Sequence, residues 1–166
     1  MNKLRDLKLD IIVYSSEKCS ENIGNVHRNM SAVANTFISF YKSKKNECEI
    51  CDDEIINEFI CKPAEITFVG DYSFEWEGEK VLLSQFFGHS NDSIIAVVDD
   101  KYMFSGDTVL SNPTVTRFAG GSTKNFWNDD IPRLKDYIPY IEIVFPGHGG
   151  VGRLCDMIEI NEKYKK

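Results

Sequence analysis

The sequence predicts an α/β (α+β) chain with a mixed or antiparallel sheet and flanking helices. Three observations predict it. Short β-rich runs alternate with turn signals over residues 66–86. A hairpin pattern follows over residues 88–110, GHSNDSIIAVVDDKYMFSGDTVL. Amphipathic stretches with helical spacing lie before and after these runs, at residues 29–41 and 127–137.

In chain order, residues 9–15 read as a strand, with residues 3–7 as the tail of a helix. Met30, Val33, Ala34, Phe37, Ile38 and Tyr41 line one face of the next helix. Residues 43–46 form a loop. Asp52 and Asp53 open a short helix, where acids in the first turn suit its dipole, and Pro63 stops it. Residues 66–69, 74–76 and 81–86 are strands, with turns at Gly70-Asp71 and Glu77-Gly78-Glu79. The hairpin pairs residues 94–98 with 101–105 around Asp99 and Asp100. Residues 111–126 make a long loop, and residues 127–137 a helix with Asp129 and Asp130 near its start. A last strand covers residues 141–145, and a closing helix lies near residues 155–165. The length suits one domain, residues 1–166.

Composition narrows the function classes. Hydrophobic residues make up 42 % and aromatics 12 %, enough for a packed core. The net charge is −7, and no basic stripe suits nucleic acid or an anionic membrane. No apolar run is long enough for a membrane span, and the N-terminal residues lack a signal-peptide core. The expected location is the cytoplasm. The five cysteines, Cys48 and Cys51 included, read as reduced thiols.

Three short motifs carry chemistry. Gly88-His89-Ser90 precedes the hairpin, Phe104-Ser105-Gly106-Asp107-Thr108 closes it, and Phe145-Pro146-Gly147-His148-Gly149 ends the last strand. Going out and back along a hairpin brings His89 and Asp107 to one end of a sheet. Two imidazoles and a carboxylate at strand ends are ligand chemistry for zinc or iron. Taken one by one, each residue also suits an ordinary loop or turn position. His27 reads as a surface or capping histidine, and Arg117 and Lys124 as solvated loop charges.

In this order and spacing the three motifs resemble the second half of the metallo-β-lactamase superfamily, closest to the hydroxyacylglutathione hydrolase-like thioesterases. The resemblance implies the C-terminal part of an αβ/βα sandwich. It implies metal ligands at His89, Asp107 and His148, with Asp107 as the catalytic, metal-bridging carboxylate. It also implies zinc or iron in the complete site. In that family two ions share a hydroxide that attacks a polarised carbonyl or phosphoryl centre. The loop at residues 117–122 resembles the one that borders the family's substrate cleft. Aspartate at position 107, where many family β-lactamases carry cysteine, argues against antibiotic hydrolysis, and no basic cluster for glutathione is visible.

The family's leading motif, His-x-His-x-Asp-His, is absent, and the chain's three histidines cannot supply it. Each ion would keep one private ligand and a share of Asp107, below the three protein ligands usual for catalytic zinc. The expectation is a truncated domain whose residue 1 is internal to a longer family pattern, and which holds no stoichiometric pair of ions alone. Three functions follow: a metal-dependent hydrolase incomplete as this chain, one subunit of a split hydrolase, or a non-catalytic interaction protein that kept the scaffold. A bare sheet face further predicts a homodimer.

Overall fold

The computed structural model describes residues 7, 11–23, 61–118 and 120–165. His27, Cys48, Cys51 and the helices expected at residues 29–41 and 52–60 lie outside the described residues. The chain divides into two compact units, Met1–Thr67 and Phe68–Lys166.

In the first unit, strand β1 (Tyr14–Ser16) runs directly into helix α1 (Glu17–Ile23), and β1 pairs with β2 (Ile66–Phe68) in a two-stranded sheet. The sequence suggests a strand from residue 9. Residues 11–13 are instead irregular, although the Val13 carbonyl still accepts from Ile66 N at 3.1 Å. The strand is short because Ser16 turns the chain: its hydroxyl accepts from Cys19 N at 3.1 Å, as a helix-starting serine does.

The second unit is built on a five-stranded mixed sheet in the order β3 (Asp71–Trp76), β4 (Glu79–Gln85), β5 (Ile94–Val98), β6 (Tyr102–Gly106), β7 (Ile143–Pro146). The first three pairings are antiparallel, and β6–β7 is parallel. Glu77 and Gly78 join β3 to β4 with φ of 52° and 89°, the left-handed pair that a two-residue hairpin turn needs. Asp99 and Asp100 take the same region before Lys101. Asp71, expected in a turn, belongs to β3 because it pairs with Ser84, where Arg133 Nη2 also reaches it. The strand expected at residues 101–105 is displaced by one, to Tyr102–Gly106.

Strand alternation sorts the sheet residues onto two faces. Ile95, Val97, Met103 and Val144 join one buried core with Phe126, Ile131, Leu134, Leu154, Met157 and Ile158 from the helices. Those helices are α2 (Thr123–Asn125), a π-helical segment (Phe126–Asp130), α3 (Ile131–Tyr137) and α4 (Leu154–Lys163). The other face carries Ala96, Val98, Ile143 and three aromatics, Tyr102, Phe104 and Phe145. Phe104 stacks on Phe145 at 5.0 Å, and Tyr102 and Phe104 remain 41 % and 47 % exposed. Among the described residues no helix is long and apolar enough to cross a membrane.

Candidate functional site

Sheet direction assembles the site. β4, β6 and β7 run the same way, since β5 is antiparallel to both β4 and β6 and β7 is parallel to β6. Their C-terminal ends therefore share one edge. His89 follows β4, Asp107 follows β6, and His148 follows β7. Asp107 Oδ2 lies 3.6 Å from His89 Nε2 and 3.7 Å from His148 Nε2. All three residues singled out from sequence thus meet at one carboxylate oxygen. Their environments differ: the side chain of His89 is 13 % exposed, that of Asp107 31 % and that of His148 78 %.

The His89 ring is held from both sides. Its Nδ1 lies 2.6 Å from the Val115 carbonyl, and a carbonyl only accepts, so Nδ1 carries the proton. That leaves Nε2 as the atom that meets Asp107. Phe118 stacks on the ring at 5.1 Å with 15° between the planes. The loop expected to border a cleft therefore wraps the histidine turn. Arg117 takes φ of 66° and donates its backbone N–H to the Gly88 carbonyl at 3.2 Å, while Ser122 N donates to the Phe87 carbonyl at 3.0 Å. The Arg117 side chain donates from Nε to Thr123 Oγ1 at 3.1 Å, so it is engaged within its own loop. Beside this loop lies a cavity of about 220 Å³, with walls that include Thr114, Thr116, Phe126 and Trp127.

Close approach explains the glycines. A Cβ on Gly88 would stand 2.5 Å from Asp130 Oδ2 and 2.6 Å from Phe126 Cβ. A Cβ on Gly147 would run into the Asp107 carboxylate. Glycine here lets two loops approach each other rather than supplying an unusual dihedral angle.

Sequence reasoning missed Asp130. In the sequence it stands beside Asp129 near a helix start, with nothing to mark it as buried. In the structure it is 1 % exposed and accepts from Phe87 N at 3.2 Å and Gly88 N at 2.6 Å. Burial pushes its carboxyl above the ordinary carboxylate value, opposed by those two N–H groups and by the charge of Arg133. The folded state therefore holds this proton to higher pH than the unfolded chain does. Stability contributed by this group is present at low pH and declines as pH rises from the ordinary carboxylate range through the raised folded value. Urea unfolding of wild type and Asp130→Asn across the acidic range should show this. The stability of wild type minus that of the variant should fall with rising pH, and a flat difference would contradict the assignment.

The donor set of two imidazoles and a carboxylate is chemically suited to zinc, and the Val115 contact is the kind of outer hydrogen bond that orients a ligating histidine. Among the described residues, however, no group of three or more histidine, cysteine, aspartate or glutamate side chains forms a metal-holding set. The residues present do not fit a complete metal centre by themselves.

The sequence matches no family model and no curated protein. Solved structures do resemble the chain. The BLEG-1 B3 metallo-β-lactamase aligns with a TM-score of 0.66 and 18 % identity over 99 % of this chain and 69 % of that one. The chain has the metallo-β-lactamase fold. A metallo-β-lactamase family protein from Thermus thermophilus gives a TM-score of 0.61 at 15 % identity, over 92 % of this chain and 52 % of that one. An archaeal superfamily protein from Sulfolobus tokodaii gives 0.59 at 17 % identity, over 96 % and 61 %. The chain thus spans between about half and two-thirds of the length of these metallo-β-lactamase-fold proteins.

Proposed function

We propose that this chain supplies part of the active site of a metal-dependent hydrolase acting on thioesters, in the manner of glyoxalase II-like enzymes, and that it is catalytically incomplete as it stands. The observation that carries this reading is the meeting of His89 and His148 at the same oxygen of Asp107, from three strand ends on one sheet edge. Strand ends at one sheet edge make a rigid platform, and a bridging role for Asp107 needs both imidazoles to face one carboxylate. The ligand count carries the second half of the proposal. Further ligands have to come from another chain or from sequence outside this one before zinc or iron is held tightly.

The test is reconstitution. The chain is co-expressed with a metallo-β-lactamase-fold half that bears His-x-His-x-Asp-His. Metal content and hydrolysis of a panel of thioesters and lactones are then measured. The pair is expected to gain both metal and activity, and to lose the activity on His89→Ala, Asp107→Ala or His148→Ala. Activity that survives Asp107→Ala would refute the bridging role. Two tightly bound ions per chain in protein purified alone would refute the incompleteness.

A second reading, as an interaction protein that kept the scaffold, is favoured by the exposed aromatic face. In either reading the expected assembly is a homodimer that buries Tyr102 and Phe104, because monomers rarely leave a large apolar patch in water. Light scattering should find a dimer that Phe104→Ser shifts to monomer. A wild-type monomer at high concentration would count against it.

A further inference from the structure

We infer that Asp130 is a positioning residue for His89: its buried carboxylate clamps the backbone of the turn that presents the imidazole. This deepens the proposed function, because His89 is one of its three site residues, yet it concerns the placement of the ring and not the hydrolysis. The Phe87–Gly88 peptide is held at both edges, and the peptides on either side of it are tied as well. On one side the Phe87 and Gly88 N–H groups donate to Asp130. On the other, their carbonyls accept from Ser122 N and Arg117 N. With the turn tied in this way, the His89 ring reaches Val115 with Nδ1 and Asp107 with Nε2.

A carboxylate is a costly choice for a site that is 1 % exposed, and an apolar side chain would fill the space more cheaply. Among the described residues no cation forms a direct ion pair with Asp130 to offset the burial. Arg133, one turn on, spends its guanidinium on the Gln85 carbonyl, Ser84 Oγ and Asp71. What the carboxylate gains is the pair of backbone donors, and charge-assisted bonds of this kind are short and strong. Gly88 leaves no room for a Cβ on that side, so the clamp sits directly on the turn.

The test is a metal-free readout on the whole chain. Imidazole ¹⁵N NMR, above the histidine titration range, reports which ring nitrogen of His89 carries the proton, with the signal assigned by its loss in His89→Gln. Wild type should show the Nδ1–H tautomer, as the Val115 contact requires. Asp130→Ala should move His89 toward the Nε2–H form of a free imidazole. Leu154→Ala, a destabilising change in the buried core, should leave the tautomer alone. Asp130→Asn retains one acceptor oxygen and should give a partial shift, and it decides the matter if the alanine variant does not fold. A His89 tautomer unchanged from wild type in a folded Asp130 variant would overturn the inference, leaving Asp130 with a structural role only. Failure of the hydrolase reading is a different result: no hydrolysis on reconstitution, with the tautomer response intact.

Discussion

Gly121→Ala is expected to destabilise the second unit by about 3 kcal/mol, a fall of roughly 12–24 °C in Tm. A methyl group at this position would overlap the His89 carbonyl and stand 2.6 Å from the Gly88 carbonyl oxygen. Both obstacles are backbone atoms, so neither can rotate away as a side chain would. The Gly88 carbonyl is also held by Arg117 N, and the Gly88 N–H by Asp130. Relief has to come from moving the residue 115–122 loop outward, and that breaks the Ser122–Phe87 hydrogen bond and the His89 contact with Val115 together. Differential scanning calorimetry of the purified variant checks the expectation. A Tm within about 2 °C of wild type would show that the two loops slide apart at little cost.

Phe126→Ala should cost a similar amount, about 3–5 kcal/mol, for the opposite reason. The ring is 1 % exposed and belongs to the main core cluster. It also packs edge-on against Trp127, with centroids 4.9 Å apart. Removing it leaves a void that the neighbouring backbone cannot close, because Phe126 begins the π-helical segment and its N–H is held by the Ser122 carbonyl at 2.9 Å. Chemical denaturation measures the loss, and Phe126→Leu should recover more than half of it by refilling most of the volume. Equal stability of the alanine and leucine variants would show that the site is not tightly packed.

The parts of this fold that were legible in the sequence are those governed by local chemistry. Gly78, Asp99 and Asp100 announce their turns, and β-branched residues fill β5, so the hairpin that carries Asp107 is written in local pattern. The meeting of His89, Asp107 and His148 was legible because each follows a strand, and strand direction does the rest. Asp130 was not legible. Nothing within a few residues of it distinguishes a surface acid from one that reaches back 42 residues to the Gly88 N–H. Arg117 illustrates the same limit: its side chain reads as a solvated loop charge, whereas it donates to Thr123 within the fold. Long-range pairing decides both cases, and pattern within a single segment does not contain it.

The π-helical turn between α2 and α3 has a consequence for how this region tolerates length changes. Such a segment holds one residue more than an α-helical path would, so the residues before and after it sit on lattices about 100° out of phase. Ile131 and Leu134 keep their place in the core on one phase, and Ser122 caps the helix on the other. Deleting a single residue between Phe126 and Asp130 would bring the two phases together. The result would be a more regular helix and a worse protein, since either the core-facing stripe of α3 or the carboxylate aimed at Gly88 would have to rotate out of place. Length in this short segment is therefore as constrained as residue identity.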